Sequence, residues 1–228
     1  MYISGIQKLT LLDFPGRLAA TVFLGGCNFR CPFCHNASLV LAPGKCEKLR
    51  EEEFFEFLSS RAGKLSGVCI TGGEPTMHKG LKDFIRKIKS MSFAVKLDTN
   101  GTNPELVREL ISQKLVDYVA MDIKNAPDKY SLTVGCEVDI DKVRETVELL
   151  LSEKVDYEFR TTVVRELHEI SDFEAISTWI KGAKRYFLQT FEDSGDLIGS
   201  GFSAYSDTET KAILEHILPN VPNAQIRS

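Results

Sequence analysis

The chain has 228 residues, a hydrophobic fraction of 43% and a formal net charge of −4, which suits one domain because single cores stop growing near ~250–300 residues. No run of like charge suits a nucleic-acid arm or a polybasic membrane patch, and no apolar run approaches the ~18–20 residues of a membrane span. The N-terminal residues also lack a basic segment followed by an apolar one, so we expect a cytoplasmic protein without nucleic-acid or membrane partners.

Apolar runs alternate with amphipathic stretches along the chain, which predicts strands alternating with helices. Strands are predicted over residues 19–24, 67–71, 93–98, 116–122, 155–164 and 185–190, with a short extended segment at 224–226. Helices are predicted over residues 51–61, 79–91 and 140–153, and after the capping patterns at 103–105, 171–174 and 206–209. Apolar strands that alternate with helices are typical of a parallel sheet.

The number of β/α units limits the fold. Six units in about 210 residues are too few for an eight-fold barrel, which typically needs ~250 residues. We therefore expect a single α/β domain over residues 1–228 with a parallel sheet. Its form is either a partial (β/α)6 TIM-like barrel or a doubly wound open sheet.

Polar motifs recur along the predicted strands. They are residues 26–36 (GCNFRCPFCHN), 72–75 (GGEP), 98–101 (DTNG), 122–124 (DIK), 160–162 (RTT) and 189–191 (QTF). Five of these six motifs lie at the carboxyl end of a strand, and RTT lies on strand five. Because ligand sites of parallel β/α folds are built at that end, the motifs predict one shared site.

Three cysteines crowd the loop over residues 25–38. Cys27, Cys31 and Cys34 have the spacing C-x3-C-x2-C. A zinc site usually takes four ligands from two separated pairs, whereas no second pair follows and His35 directly adjoins Cys34. Iron–sulfur clusters are held by thiolates, and three thiolates on a [4Fe–4S] cubane leave one iron open for a small molecule.

The other cysteines, Cys46, Cys69 and Cys136, stand singly. Disulfides are rare in cytosolic proteins, so we expect three free thiols, with Cys69 in the core.

The motifs together resemble those of the radical S-adenosylmethionine superfamily. The cysteine spacing with Phe33 before the last cysteine is similar to the family's cluster loop, and residues 72–75 resemble its methionine-binding motif. Residues 13–17 (DFPGR), 34–36, 98–101 and 122–124 are similar to motifs of the branch that activates glycyl radical enzymes. Within that branch, the resemblance is to activating proteins of anaerobic ribonucleoside-triphosphate reductase. It extends from Ile6 to the C-terminus and implies the partial barrel.

The resemblance implies a cofactor set. Cys27, Cys31 and Cys34 would ligate three irons of a single [4Fe–4S] cluster, and the amino and carboxylate groups of S-adenosylmethionine would chelate the fourth. The residues implied to contact S-adenosylmethionine are Phe33, His35, Gly72, Gly73, Glu74, Asp98, Thr99, Asn100, Asp122 and Lys124.

Particular roles follow from the chemistry of these side chains. Gly72 and Gly73 let the backbone approach the methionine moiety, because they carry no Cβ. Glu74 would accept a hydrogen bond from the ammonium group. Lys124 would neutralise the carboxylate.

Further contacts are implied around these. Asp98 would pair with the ammonium group, or with Asp122 would hold a monovalent cation. Phe33 and the His35 backbone would border the adenine, and Asn100 and Gln189 are candidate polar contacts to the ribose and adenine.

The implied function is an activase of a glycyl radical enzyme. An electron from a flavodoxin or ferredoxin-type donor would cleave S-adenosylmethionine, and the resulting radical would abstract a hydrogen atom from a backbone glycine of the partner. One alternative is a radical enzyme for a small molecule, such as 7-carboxy-7-deazaguanine synthase, although the DFPG and DIK segments favour the activase. The other is a non-catalytic metal-binding module, which gives no reason for GGEP, DTNG and DIK on successive strands.

Several side chains have a structural interpretation beside a functional one. We expect His78 and His216 to face solvent on helices and Trp179 to belong to the core. Arg160 is either a structural ion pair or a cofactor contact, and His168, in the loop after strand five, lies near the expected site.

Overall fold

The computed structural model describes residues 2–45 and 48–227, so Cys46 lies outside the described residues. The strands are β1 (Tyr2–Ile3), β2 (Gly5–Thr10), β3 (Ala19–Leu24), β4 (Leu49–Arg50), β5 (Gly67–Gly72), β6 (Ala94–Thr99), β7 (Tyr118–Asp122), β8 (Asp156–Val163), β9 (Tyr186–Thr190) and β10 (Ala224–Arg227). The helices are α1 (Ala37–Leu41), α2 (Glu51–Ser60), α3 (Leu81–Ser90), α4 (Pro104–Ser112), α5 (Tyr130–Val134), α6 (Ile140–Leu151), α7 (Ile170–Trp179) and α8 (Asp207–Ile217), with a 3-10 turn at Pro75–Met77. None of the described helices combines the length and apolar character needed to cross a membrane.

One sheet organises the domain. Its strand order is β10-β9-β8-β7-β6-β5-β3-β2, and β1 pairs separately with β4. From β3 to β10 the neighbouring strands are parallel, whereas β2 runs antiparallel to β3. This open α/β sheet confirms the predicted partial barrel, and the extended segment at 224–226 is confirmed as part of β10.

Side chains alternate between the two faces of the sheet, as the pleat requires. Val68 and Ile70 of β5 join the large core under the helices, in which Phe54 of α2 packs against Phe84 of α3 with ring centroids 5.3 Å apart. The side chain of Cys69, which lies between these two residues, points to the opposite face. We call this opposite face the site face, because the polar motifs lie on it.

Phe14 closes the amino end of the site face. Its side chain is 2% exposed and lies in a small apolar cluster with the first residues of three strands, Ala19, Ala94 and Tyr118. The approach is close because β5 begins with Gly67, where a Cβ would lie 2.8 Å from the Phe14 ring. The DFPG segment that resembled an activase motif is therefore also a plug of the sheet.

Helix starts follow the capping patterns at two of three predicted positions. Asn103 caps α4 by accepting a hydrogen bond from the Leu106 N–H, and Ser206 with Glu209 forms the capping box of α8. The capping box predicted at 171–174 is wrong, since α7 is capped by Glu169 with Asp172 at the third helical position. Asp172 is fixed there because it is buried and pairs with Lys129.

Several elements of the described residues were not predicted, among them β1 and β4, which have two residues each, and the 3-10 turn. The strand β2 has mostly exposed or half-buried residues, so it lacks the apolar run of the inner strands. The helices α1 and α5 have five residues each, too few for helical periodicity to be visible.

We predict that Phe14→Ala lowers the free energy of unfolding by about 3–5 kcal/mol, because it leaves a cavity at the closed end of the sheet. Leu12→Ala is the matched control, since Leu12 is 88% exposed and should change stability by about 0.5 kcal/mol or less. Urea unfolding of the two variants measures the difference. Equal effects would show that Phe14 does not close the sheet.

Candidate active site

A cavity of about 420 Å³ opens on the site face. Its size lies within the ~300–1,000 Å³ that small-molecule sites usually occupy. The structure brings every sequence-predicted site residue to it: Cys27, Cys31, Phe33, Cys34, His35, Gly72, Gly73, Glu74, Asp98, Thr99, Asn100, Asp122 and Lys124. Arg160 and Gln189, whose roles the sequence left open, also line it. The individual roles of these residues stay predictions.

The cysteine loop is held in place by its own backbone and by α5. The Cys34 N–H donates to the Cys31 carbonyl over 3.0 Å, and the Arg30 N–H donates to the Val134 carbonyl over 2.9 Å. The Phe29 N–H points at Cys27 Sγ, 3.3 Å away. The loop therefore presents its three thiols to one cavity in a fixed arrangement.

Burial makes two of these thiols, Cys27 and Cys31, resist ionisation in the free protein. It raises the pKa of Cys31 to about 12 and also raises that of Cys27, on which the Phe29 N–H acts in the opposite direction. Among residues 2–45 and 48–227, no three His, Cys, Asp or Glu side chains converge on a point where they could hold a single metal ion.

Two glycines allow the GGEP turn to touch the cysteine loop. Gly72 has φ +114°, and a Cβ at Gly73 would overlap the Gly26 carbonyl oxygen. The Gly73 and Glu74 N–H groups donate to the carbonyls of Leu24 and Gly26 over 2.7 and 2.8 Å. The glycines are thus required by packing between the two loops, and this contact fixes the wall of the cavity.

Glu74 links the GGEP turn to the DTNG turn. Its carboxylate accepts from the hydroxyls of Thr76 (2.5 Å) and Thr99 (2.8 Å) and from the Asn100 N–H (2.7 Å). Asn100 in turn donates to Asn28 of the cysteine loop over 2.8 Å. Burial raises the pKa of Glu74, although these hydrogen bonds oppose the shift. Three sequence motifs therefore form one bonded unit.

Five charged side chains meet beside this unit, and we call Lys96, Asp98, Asp122, Lys124 and Arg160 the charged cluster. Lys96 pairs with Asp98, and Lys124 Nζ lies 3.0 Å from Asp122 Oδ2. Arg160 bridges the two acids, with Nε 2.9 Å from Asp122 Oδ1 and an Nη 3.2 Å from Asp98 Oδ2. The guanidinium thus joins β6, β7 and β8.

The pKa values of the two carboxyls follow from these contacts. Burial raises the pKa of Asp98 and Asp122, but the cations outweigh burial, so both pKa values stay below the usual value for aspartate. Arg160 is the strongest cation for each, followed by Lys96 for Asp98 and Lys124 for Asp122. Both acids are therefore carboxylates at neutral pH.

Lys96 is the cluster member that sequence reasoning missed. Its residue is 2% exposed, and its Nζ also lies 3.8 Å from Cys69 Sγ. A signal was available in the sequence. Lys96 and Asp98 are two residues apart on a strand, so they share a face, and a lysine inside an apolar strand needs a charged partner.

The histidines divide into different environments. His35 lines the cavity, and burial lowers its pKa. His168 lies behind the cavity, where its Nε2 is 2.9 Å from the Lys124 carbonyl oxygen and its ring stacks on Phe173. The prediction for His78 is wrong, because it is half-buried with its ring nitrogen 3.0 Å from the Gly25 carbonyl oxygen. His216 is exposed as predicted and lies 2.8 Å from Glu174.

The singly placed residues match their structural interpretations. Cys69 is fully buried and Trp179 packs edge-on against Tyr130. Cys69 and Cys136 are free thiols. Cys136 lies next to the cysteine loop, with its Sγ 3.5 Å from the Asn28 carbonyl oxygen.

Comparison with known families agrees with this geometry. The chain belongs to the radical SAM superfamily, whose family model matches residues 21–179. Membership confirms the predicted enzyme class, an oxidoreductase that uses a [4Fe–4S] cluster and S-adenosylmethionine.

Among the named relatives are two activating enzymes and one synthase that acts on a small molecule. A Methanocaldococcus jannaschii protein named "Putative glycyl-radical enzyme activating enzyme" is 38% identical over 198 residues, which are 83% of this chain and 80% of that protein. The pyruvate formate-lyase-activating enzyme of Clostridium pasteurianum is 31% identical over 55% of this chain and 53% of its own length. A 7-carboxy-7-deazaguanine synthase of Hyperthermus butylicus is 37% identical over 42% of this chain and 40% of its own length.

Solved structures support the fold. A domain of pyruvate-formate lyase-activating enzyme from Bacteroides vulgatus superposes with a TM-score of 0.59 at 15% identity, over 72% of this chain and 99% of that domain. Streptococcus suis SuiB superposes with a TM-score of 0.72 at 12% identity, over 92% of this chain and 49% of SuiB.

We predict that Gly73→Ala separates the GGEP turn from the cysteine loop and destabilises the protein by about 1–3 kcal/mol, because the new Cβ has no room. Gly44→Ala is the matched control, since a Cβ there meets open space, and its effect should be about 0.5 kcal/mol or less. Urea unfolding of the cluster-free proteins gives both values. A Gly73→Ala protein as stable as the control would contradict the close packing of the two loops.

Proposed function

We propose that the chain is a radical S-adenosylmethionine activase that abstracts a hydrogen atom from a backbone glycine of a partner enzyme. The observation that carries the proposal is the meeting of three thiols, the GGEP turn and the charged cluster around one cavity. The M. jannaschii relative, which aligns over most of both chains, supports the choice of a glycyl radical enzyme as substrate.

The residues present suit the two cofactors. Three thiols from one fixed loop match the thiolate ligation of a [4Fe–4S] cluster, so Cys27, Cys31 and Cys34 would hold three irons. When bound, the cluster supplies an electron that cleaves S-adenosylmethionine to methionine and a 5′-deoxyadenosyl radical. That radical takes one hydrogen atom, which leaves 5′-deoxyadenosine and a radical on the partner.

The chain's own groups bind and orient the substrate. Lys124 offers an ammonium group at the cavity for the carboxylate of S-adenosylmethionine, and Asp98 offers negative charge for the amino group. Glu74 has both carboxylate oxygens engaged by Thr76, Thr99 and Asn100. Its contribution is therefore to hold the GGEP and DTNG backbones in position, in addition to any contact with the amino group.

The open sheet suits a macromolecular substrate. The cavity lies on the face where the strand carboxyl ends converge, and the closed end is filled by Phe14. A loop that carries the target glycine would enter at the carboxyl end. We propose anaerobic ribonucleoside-triphosphate reductase as the partner, a flavodoxin or ferredoxin-type protein as the electron donor, and the cytoplasm as the location.

The remaining side chains of the cavity would contact the other parts of S-adenosylmethionine. Phe33 and the His35 backbone would border the adenine, with Asn100 and Gln189 as polar contacts. The resemblance also implied a monovalent cation beside Asp98 and Asp122, where the protein's own cations Lys96, Lys124 and Arg160 lie.

A small-molecule radical enzyme is the second candidate. The 37% identity to a 7-carboxy-7-deazaguanine synthase supports this candidate, but only over 98 residues of the chain. Electron paramagnetic resonance in the presence of the partner enzyme distinguishes the two candidates, because only an activase leaves a radical on another protein.

We predict that anaerobically reconstituted protein holds about four irons, and that Cys31→Ala loses most of this iron because a cluster ligand is removed. Cys136→Ala is the matched control, since Cys136 is a free thiol beside the loop but outside the spacing. Iron and sulfide analysis measures both. Retention of iron by Cys31→Ala, or equal loss in Cys136→Ala, would contradict the ligand assignment.

The function itself is tested by electron paramagnetic resonance. The loaded protein is mixed with reductant, S-adenosylmethionine and anaerobic ribonucleoside-triphosphate reductase, and we expect a glycyl radical doublet together with 5′-deoxyadenosine. The control partner is a reductase with its radical glycine replaced by alanine, which should give no doublet. Deoxyadenosine without any protein radical would exclude this partner and favour the small-molecule candidate. Neither product from cluster-loaded protein would exclude both enzymes.

A further inference from the structure

Each carboxylate oxygen of the two aspartates in the charged cluster has a protein cation as a partner. Asp98 is contacted by Lys96 through Oδ1 and by Arg160 through Oδ2. Asp122 is contacted by Arg160 through Oδ1 and by Lys124 through Oδ2. A metal cation between these carboxylates would therefore have to share its oxygen ligands with the protein's own donors.

The Lys96 side chain is confined to this position. It is 2% exposed, points to the site face of β6, and has Asp98 and Cys69 as its polar neighbours. An ammonium group without a partner in such a place is strongly unfavourable, because burial removes its hydration. The Lys96–Asp98 pair is therefore a permanent part of the sheet.

The sign of the local charge also disfavours a bound cation. Lys96, Lys124 and Arg160 bring three positive charges to the two negative charges of Asp98 and Asp122. Charges so near each other and partly shielded from water interact strongly. These five side chains thus carry a net positive charge, which disfavours a metal cation between the two carboxylates and favours a ligand carboxylate beside Lys124.

We propose that Lys96 and Arg160 are built-in cations that replace a monovalent metal ion, so that this protein binds S-adenosylmethionine without K⁺ or Na⁺. Both are positioning residues. Lys96 and Arg160 fix Asp98 for the substrate's amino group, and Arg160 also fixes Asp122, which holds Lys124 for the substrate's carboxylate. Only the part about S-adenosylmethionine rests on the proposed function. The exclusion of a cation concerns the protein alone.

Thermal unfolding of the protein without its iron–sulfur cluster tests directly whether the protein excludes a metal cation from the two aspartates. The midpoint is measured in KCl, NaCl and choline chloride at equal ionic strength, since choline is too large to enter the charged cluster. We expect the wild-type midpoint to agree within about 1 °C in all three salts. Lys96→Met uncovers an Asp98 oxygen, so it should be less stable in choline chloride and recover about 3 °C or more in KCl or NaCl.

Two variants control this experiment. Lys181→Met removes an exposed lysine far in sequence from the charged cluster and should show no dependence on the cation. Lys96→Arg keeps the positive charge and should also show none, which keeps the proposal testable if Lys96→Met does not fold. A wild-type or Lys96→Arg midpoint raised by several degrees in K⁺ or Na⁺ would overturn the proposal, as would a folded Lys96→Met protein that is indifferent to all three salts.

Binding of S-adenosylmethionine to the reconstituted protein tests the second part. By calorimetry, we expect the wild-type Kd to differ by less than twofold between KCl and choline chloride. The Kd of folded Lys96→Met should be at least tenfold higher in choline chloride than in KCl. A wild-type Kd that rises tenfold without K⁺ overturns the proposal. Loss of binding in every salt would instead refute the proposed function, while the unfolding result would still decide whether the protein takes a cation.

Discussion

The bridge that Arg160 makes between Asp98 and Asp122 is the interaction on which the site depends. The two acids end neighbouring strands β6 and β7, where their carboxylates would repel each other if no cation lay between them. Arg160 on β8 joins them, and Lys96 and Lys124 complete the charge balance. The members of the charged cluster therefore depend on one another for stability in the interior of the sheet. Together they determine where a charged substrate can lie.

A second group of contacts transmits this order to the cysteine loop. Glu74 holds the DTNG turn, Asn100 donates a hydrogen bond to Asn28, and Gly73 of GGEP packs against Gly26. The loop that presents the three thiols is thus tied to the strands that carry the charges. The cluster and the substrate groups would be positioned by one continuous framework.

The sequence predicted the parallel strands, their order along the chain and many of the residues that line the cavity, because apolar runs and strand-end motifs are local signals. It did not predict β2, whose pairing depends on β3 rather than on its own composition. The predicted cap of α7 was wrong because Asp172 forms an ion pair with Lys129, which lies 43 residues away in the chain. Lys96 was missed although Asp98 lies two residues along the same strand, because Asp98 was assigned to the cofactor or a metal cation and not to a buried lysine.

The Phe14 plug has a consequence for the order of events. With the amino end of the site face filled, a cofactor and a partner loop must use the same entrance at the carboxyl end. The smaller molecule then has to arrive first, because a docked protein would cover the way in. Release would follow the reverse sequence, so each turnover of the proposed activase would require the partner to leave before methionine and deoxyadenosine could be exchanged. The lifetime of the protein complex, rather than the affinity for the small molecule, would then limit how often one activase can serve new partners.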